Sequence, residues 1–246
     1  MKYELRQSAD GTFTLFSKEY NECYHSLSDG ALRESLNKHV IPAFTFNPKS
    51  HLRILDICFG LGINTLATIY YLGQQKAVRS AEIFSPELDS DLLQELKYFE
   101  YPQPLQPYRE ILLELIENKV YKSKNIHIEL FIGDAREYIK GLQAIDVVYQ
   151  DPFSPKKNPA LWTVEYFQDI AKILDRNGVV TTYSIATPVR LALDEVGFKV
   201  YEYEVAGIKK MTIASFKELP LKQIDMDIKR SRATVQAMRD QDIEKN

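Results

Sequence analysis

The sequence predicts an α/β fold in which a mostly parallel, seven-stranded sheet carries helices on both faces. Apolar segments typical of strands alternate along the chain with segments of helical periodicity. A short apolar run at residues 54–58 leads into two closely spaced glycines and then a helical pattern, which is typical of a strand, a tight turn and a helix. Acidic residues follow several of the apolar runs, where the carboxyl ends of parallel strands would gather.

The predicted elements follow one another without repeats or low-complexity segments. An N-terminal β-hairpin over residues 2–17 turns at Asp10-Gly11, and a helix after Gly30 ends where Pro42 and Pro48 interrupt the chain. The seven sheet strands are expected at residues 54–58, 78–83, 127–132, 144–150, 178–184, 198–205 and 211–216. Between them, helices are expected after Gly62, at residues 85–101 and 108–120, from Asp134 to about residue 142, and at residues 162–174 and 188–196.

These elements suggest three parts of the chain. Residues 1–48 form the hairpin and helix extension, residues 49–220 form the main α/β domain, and residues 221–246 form a mixed-charge tail that extends outward. The helical pair between the second and third strands is longer than one crossover requires.

Composition restricts the class of protein. The net charge of −3 argues against extensive nucleic-acid coating, although it permits a local basic patch. Because the sequence shows no leader and no apolar run of membrane-spanning length, we expect a cytoplasmic protein without a membrane partner. The two cysteines suit a reducing compartment. The four histidines have no metal-ligand spacing, so we expect no metal.

The glycine turn at Gly60 and Gly62 predicts a nucleotide site, because glycines let the backbone approach a ligand closely. Thr65 stands where a dinucleotide fingerprint has glycine or alanine, which disfavours NAD and FAD. Asp56, in the preceding strand, suits the ammonium of a methionine moiety better than a pyrophosphate. S-adenosylmethionine is therefore favoured, and a ligand-free strand and helix is the alternative.

Three further acids are candidates for the site. Glu82 lies 22 residues after Gly60, where an acid at the tip of the second strand binds ribose hydroxyls. Asp134 could accept the adenine amino group or cap the next helix. Asp151 follows the fourth strand in the string Asp-Pro-Phe and is the catalytic candidate. That string is similar to the Asp/Asn-Pro-Pro-aromatic loop of amino-group methyltransferases and suggests a nitrogen acceptor.

The chain resembles one family along most of its length: the methyltransferase part of MnmC, the tRNA 5-methylaminomethyl-2-thiouridine biosynthesis protein. The similar segments are residues 24–35, 59–64, 133–136, 151–162, 182–190 and 207–211. The resemblance implies a Rossmann-like class I methyltransferase that methylates the 5-aminomethyl group of 5-aminomethyl-2-thiouridine at the wobble position of tRNA. Two-domain members also carry an FAD-dependent oxidase. For this chain, the aminomethyl substrate would come either from a separate FAD-dependent oxidase acting upstream or from direct synthesis.

With the resemblance, the expected site residues form three groups. The expected cofactor-binding residues are Asp56, Phe59, Gly60, Gly62, Asn64, Glu82, Asp134 and Ala135. Asp151 would orient the amine. Phe153 and Tyr183 would stack on the flipped base, or simply pack beneath the loop. Phosphates of the anticodon stem-loop would contact Lys156, Lys157, Arg190, Lys209 and Lys210.

The sequence departs from the family pattern at Cys58 and Pro152, where glycine is usual. These departures leave other functions open. One alternative is a small-molecule amine methyltransferase or an aminopropyltransferase. Another is a module that binds S-adenosylmethionine and RNA without turnover.

Overall fold

The computed structural model describes residues 2–75 and 79–243. The N-terminal hairpin is confirmed: β1 (Tyr3–Gln7) and β2 (Phe13–Ser17) pair antiparallel. A third strand that the sequence did not predict, β3 (Glu22–Cys23), pairs with β2 and completes a small separate sheet.

The helical segment after Gly30 is longer than predicted. Helix α1 (Ala31–Ser35) runs into a π turn (Leu36–Val40) and then α2 (Ile41–Phe46). The predicted interruption at Pro42 is wrong, because this proline lies in the first turn of α2, where a missing N–H group is tolerated. The segment ends before Pro48 instead.

The α/β prediction is confirmed by the main sheet. Among the described residues its strands are β4 (His51–Ile57), β5 (Ser80–Glu87), β6 (Val120–Lys122), β7 (Ile126–Ile132), β8 (Ile145–Gln150), β9 (Leu174–Thr182), β10 (Lys199–Tyr203), β11 (Met211–Ser215) and β12 (Lys222–Gln223). Their order is β12-β10-β11-β9-β8-β4-β5-β7-β6. Strands β4, β5, β7, β8 and β9 are parallel, and the others pair antiparallel. All seven predicted strands are present, and β6 and β12 are short additions at the edges.

Helices cover both faces of this sheet. They are α3 (Ile63–Gln74), α4 (Leu92–Leu96), a 3₁₀ helix (Gln103–Tyr108), α5 (Arg109–Asn118), α6 (Ala135–Ile139), a 3₁₀ helix (Pro159–Leu161), α7 (Val164–Ile173) and α8 (Thr187–Glu195). Side chains of a strand alternate between its faces, so Ile54 packs in one apolar cluster and Leu55 in the other. No helix within the described ranges is long and apolar enough to cross a bilayer.

Strand β5 differs most from the prediction. Its predicted start at Val78 lies outside the described residues, and its predicted end near Glu82 is wrong, because the strand continues to Glu87. Pro86, predicted to open a helix over residues 85–101, lies inside the strand. The strand continues past this proline because it pairs with β7 as far as Glu87 and Ile132, and the Pro86 carbonyl accepts a hydrogen bond from the Phe59 N–H at 3.0 Å. Only the short α4 forms within that predicted helix.

The C-terminal tail packs back onto the domain through β12, α9 (Met226–Arg232) and α10 (Asp240–Ile243). The Val164 N–H donates to the Met238 carbonyl at 2.9 Å, so the tail meets the start of α7. Arg136 makes a two-pronged ion pair with Asp240, with N–O distances of 2.8 and 2.7 Å. The described part of the tail is therefore held against the sheet domain rather than directed away from it.

The turn before α3 provides a stability test at Gly62. Its φ of +70° favours glycine, and a Cβ there would lie 2.8 Å from Phe59 Cζ, whereas Gly197 has φ +97° and open space around it. Gly197→Ala is expected to cost about 1–2 kcal/mol from backbone strain alone. Gly62→Ala is expected to cost about 1–3 kcal/mol more, because the buried Phe59 ring must shift. Urea unfolding of both variants measures the difference, and equal losses would contradict this packing.

Candidate active site

A cavity of about 940 Å³ lies at the carboxyl ends of the central parallel strands. Its wall includes the glycine turn after β4, the end of β5, the loop after β8 and residues from the N-terminal extension. Ligands of open α/β sheets bind at this edge. The volume is near the top of the ~300–1,000 Å³ range of small-molecule sites, so the cavity has room for more than one bound group.

The glycine turn brings the backbone to the cavity. Phe59, Gly60 and Asn64 line it, as expected, whereas Gly62 lies behind Phe59 and outside the wall. Cys58 also lines the cavity, with φ +66°. A cysteine here adopts the left-handed conformation that the usual glycine would adopt without strain. Cys58 therefore adopts this backbone conformation at a cost in strain that glycine would avoid.

Asp56 lies beneath the cavity and is not part of its wall. Its carboxylate accepts hydrogen bonds from the Thr65 hydroxyl at 2.9 Å and from the Asn64 side-chain amide at 3.3 Å. Burial raises its pKa to about 7, and the nearby charge of Asp151 adds to this shift. The structure therefore connects Asp56 to the cavity through Asn64.

The acid at the end of β5 is Glu87. It lines the cavity, and its carboxylate accepts hydrogen bonds from the N–H groups of Gly60 and Asp89, both at 2.8 Å. Burial raises the pKa of Glu87. Glu82, the predicted ribose-binding acid, lies further back along the strand, pairs with Arg53 and is outside the cavity wall. The prediction missed Glu87 because it ended the strand before Pro86.

Asp134 and Ala135 both line the cavity. Asp134 also caps α6, since its side chain accepts a hydrogen bond from the Arg136 N–H at 2.7 Å. The capping alternative is therefore confirmed. A contact of Asp134 with adenine stays a prediction.

Asp151 stands at the end of β8 with its carboxylate in the cavity wall. Its Oδ2 accepts a hydrogen bond from the Asn64 amide at 2.8 Å, and its Oδ1 lies 3.4 Å from His39 Nε2. Burial alone would raise its pKa. The electrostatic attraction of His39, together with the Asn64 hydrogen bond, reverses this and lowers the pKa of Asp151. The cavity thus contains an ionised carboxylate at neutral pH.

The loop after Asp151 is fixed by aromatic packing and hydrogen bonds. Phe153 stacks on Tyr20 with ring centroids 4.4 Å apart. The Trp162 indole N–H donates to the Phe153 carbonyl at 2.9 Å, and the Tyr183 hydroxyl donates to the Pro152 carbonyl at 2.9 Å. Both candidates for base stacking, Phe153 and Tyr183, line the cavity. Their packing partners hold the loop that carries Asp151.

The five predicted phosphate contacts separate into three groups. Lys209 and Lys210 lie at the cavity, and Lys210 pairs with Glu202 at 3.0 Å. Lys156 and Lys157 are exposed on the loop after β8, outside the wall. Arg190 is only 6% exposed, and its Nε donates to the Thr212 hydroxyl at 2.9 Å. The predicted phosphate contact of Arg190 is therefore wrong, because α8 turns this side chain inward.

The N-terminal extension contributes a charged group that the sequence reasoning did not identify. Lys38 is buried and donates to Glu34 at 2.7 Å, and the other Glu34 oxygen accepts from the Ser26 N–H at 2.7 Å. Both side chains line the cavity with His25, whose pKa is lowered by burial. His25, Ser26 and Glu34 lie within residues 24–35, one of the segments that resemble the family. This resemblance is the sequence signal that could have identified them. Within the described ranges, no group of three or more His, Cys, Asp or Glu could hold a metal ion.

The chain is similar to known methyltransferases in sequence and in structure. Residues 98–218 match a family of S-adenosyl-L-methionine-dependent methyltransferases. The crystal structure of MnmC2 from Aquifex aeolicus matches it with a TM-score of 0.85 and 34% identity, covering 99% of this chain and 81% of that one. The chain belongs to the MnmC methyltransferase family. The family resemblance and the S-adenosylmethionine cofactor are thereby confirmed.

Two further relatives are longer than the part of this chain that they match. An uncharacterized protein of Methanocaldococcus jannaschii is 35% identical over 217 residues, which are 88% of this chain and 60% of that protein. The tRNA 5-methylaminomethyl-2-thiouridine biosynthesis bifunctional protein MnmC of Ralstonia nicotianae is 29% identical over 218 residues, covering 82% of this chain and 33% of that protein. The chain thus spans about a third of the bifunctional relative.

The cavity fits S-adenosylmethionine. Gly60 has no side chain to cover its backbone at the cavity wall. An added Cβ at this position would lie 3.3 Å from the Tyr24 ring. Glu87 provides a carboxylate at the strand tip, and carboxylates at this place bind ribose hydroxyls in related folds. The Asn64 side-chain oxygen is buried without a hydrogen-bond partner, so it is available to a ligand ammonium.

The role of Glu87 in cofactor binding can be tested with Glu82 as the matched control. Glu87→Gln is expected to weaken binding of S-adenosylhomocysteine about tenfold or more, because a charged acceptor at the cavity is lost. Glu82→Gln changes the same residue type on the same strand and is expected to leave binding within about twofold. Isothermal titration calorimetry measures both. A larger loss in Glu82→Gln than in Glu87→Gln would contradict the corrected assignment.

Proposed function

We propose that this chain transfers a methyl group to the 5-aminomethyl group of 5-aminomethyl-2-thiouridine at the wobble position of tRNA. The observation that carries the proposal is the position of Asp151, whose carboxylate stands after β8 in the wall of a large cavity and accepts a hydrogen bond from Asn64 at 2.8 Å. The bifunctional relatives are named for the biosynthesis of 5-methylaminomethyl-2-thiouridine in tRNA. Methylation of an aminomethyl group would give that nucleoside.

An amine acceptor explains the need for a carboxylate. A primary alkylamine resembles lysine, with a pKa of about 10.4, so it arrives protonated and must lose a proton before nitrogen can attack. The Asp151 carboxylate accepts hydrogen bonds from the amine, orients its lone pair and serves as a route for the proton through water. It also stabilises the positive charge that develops on nitrogen.

When bound, S-adenosylmethionine supplies a methyl group on a positively charged sulfur. In this proposal, Glu87 binds the ribose, Asp134 and Ala135 face the adenine, and Phe59 and Gly60 form the floor. Asn64 connects this region to Asp151 through the 2.8 Å hydrogen bond. Holding the two reactants in one geometry can provide up to about 7–11 kcal/mol of the barrier reduction in favourable cases.

The target base must leave the anticodon stack to enter the cavity. Tyr183 and the exposed part of Phe153 are the proposed stacking surfaces inside it. Lys209 and Lys210 at the cavity, with Lys156 and Lys157 on the neighbouring loop, are the proposed contacts for phosphates of the anticodon stem-loop. Such contacts contribute affinity and little sequence information.

The proposed reaction takes place in the cytoplasm and requires an aminomethyl nucleoside as its substrate. The family resemblance implies that an FAD-dependent oxidase generates this group, and the bifunctional relative is about three times as long as the part that this chain matches. We propose that a separate oxidase acts before this chain.

Labelled S-adenosylmethionine tests the proposal with tRNA from a strain that lacks the final methyl group. The expected result is label in the wobble nucleoside after digestion and chromatography. Label in a free amine would favour the small-molecule alternative, and cofactor and RNA binding without transfer would favour the non-catalytic module. Either of these two results would contradict the proposed function.

Asp151→Asn tests the assigned acid in the same assay. It is expected to lower kcat about 100-fold or more, because the amide cannot accept the amine proton or balance the charge on nitrogen. S-adenosylhomocysteine binding should stay within about threefold. Asp169→Asn, on the outer side of α7, is the matched control and should behave as wild type. Equal losses of turnover and cofactor affinity in Asp151→Asn would show that this residue serves the cofactor instead.

A further inference from the structure

His39 is a fully buried histidine whose ring is directed at the acid of the site. It lies in the π turn Leu36–Val40, and its ring packs against Tyr149 of β8 with centroids 5.5 Å apart. Its Nε2 atom lies 3.4 Å from Asp151 Oδ1 and forms no hydrogen bond with any described group in this structure. Buried polar atoms ordinarily have partners, so this contact requires an explanation.

The other ring nitrogen has a partner that suits two protonation states. His39 Nδ1 lies 2.9 Å from the Thr181 hydroxyl, which also lies 3.4 Å from the Val148 carbonyl. The hydroxyl can donate to Nδ1 of a neutral ring, or accept from a protonated ring and donate to Val148. In both arrangements a hydrogen on Nε2 faces the carboxylate of Asp151, whereas a neutral ring with hydrogen on Nδ1 alone would place a lone pair against that carboxylate.

We propose that His39 is a positioning residue, which holds the Asp151 carboxylate in place and in its ionised form so that it can receive a cationic amine. This role rests on the function proposed above. Hydrogen bonds at active sites are often long without substrate and tighten when it binds, which is consistent with the 3.4 Å separation.

The surroundings of Asp151 explain why such a residue is needed. The carboxylate is mostly buried, and the acid Asp56 lies behind it, joined through the amide of Asn64. Burial and a neighbouring acid both oppose ionisation. The other described titratable groups that interact with this pair include Cys58, His25, Tyr149 and Tyr183. Of these four groups, only His25 can add positive charge, and its Nδ1 lies 3.8 Å from a Glu34 oxygen.

Binding of an unreactive complex separates this role from catalysis. The ligand is an anticodon stem-loop with 5-aminomethyl-2-thiouridine, titrated with saturating S-adenosylhomocysteine from about pH 3 to about pH 6, a range that covers the lowered pKa of Asp151 and ends below that of Asp56. Its amine, with a pKa of about 10.4, stays protonated throughout, so a pH-dependent preference over the unmodified stem-loop reports the ionisation of Asp151. The wild-type protein is expected to keep its preference for the modified stem-loop down to a lower pH than the His39→Gln variant does. The midpoint should move up by about one pH unit or more in the variant, because glutamine can hydrogen-bond but cannot become positive.

The control is His51→Gln, the same exchange at a histidine outside the cavity wall, which should match wild type. An unchanged midpoint in His39→Gln, with a clear preference in wild type, would overturn the role of His39 and leave the proposed function intact. Absence of any preference in wild type would contradict the proposed function itself.

A measurement on the wild-type protein covers the case in which His39→Gln does not fold. Long-range ¹H–¹⁵N NMR of the histidine rings shows which nitrogen carries hydrogen. The expected result for His39 is a protonated Nε2 near neutral pH. A ring protonated at Nδ1 alone would place a lone pair against the Asp151 carboxylate and overturn the proposal.

Discussion

The site depends on one amide that joins two buried carboxylates. The Asn64 side chain donates to Asp56 at 3.3 Å and to Asp151 at 2.8 Å, so the start of α3 is tied to the ends of β4 and β8. Two acids this close cannot both ionise without cost. Their environments separate them: the pKa of Asp56 rises to about 7 because of burial, whereas that of Asp151 is lowered despite burial by His39 and Asn64. Pairs of acids with separated pKa values are typical of sites where one carboxylate must remain charged.

The N-terminal extension completes this site. Tyr20 and Tyr24 pack on Phe153, and Glu22 accepts a hydrogen bond from the Ser154 hydroxyl at 2.6 Å. The helical segment after Gly30 then brings His39 beneath Asp151. The sheet domain places the acid at the correct edge, and the extension supplies the groups that fix its loop and its charge. The cavity is therefore a product of both parts of the chain.

Much of the fold could be predicted because strand and helix periodicity are local properties. All seven main strands, the hairpin and the glycine turn follow from patterns within a few residues. The errors lie where tertiary contacts override local preference. Pro86 lies within β5 because the strand pairs with β7 as far as Glu87, and Pro42 is tolerated because it lies in the first turn of α2. The tail packs inward through Arg136 and Asp240, which lie 104 positions apart in the sequence.

The site was predictable to the extent that its residues follow strand ends. Asp151, Asn64 and the glycine turn lie where the sequence placed them, and Glu87 was missed because the end of β5 was misjudged. Arg190 was assigned from its charge alone, although its helix buries it. His39 could not be identified from sequence, because a buried histidine becomes meaningful only when the fold shows which acid it faces. Charge and residue type thus indicate function only when position along the fold is also known.

The most direct test of this account is a crystal structure of the chain with S-adenosylhomocysteine and an anticodon stem-loop that contains 5-aminomethyl-2-thiouridine. The account predicts the base inside the cavity, with its amine nitrogen within about 2.6–3.2 Å of an Asp151 oxygen, directly or through one water. An amine bound elsewhere in the cavity, with Asp151 turned toward the protein interior, would contradict it.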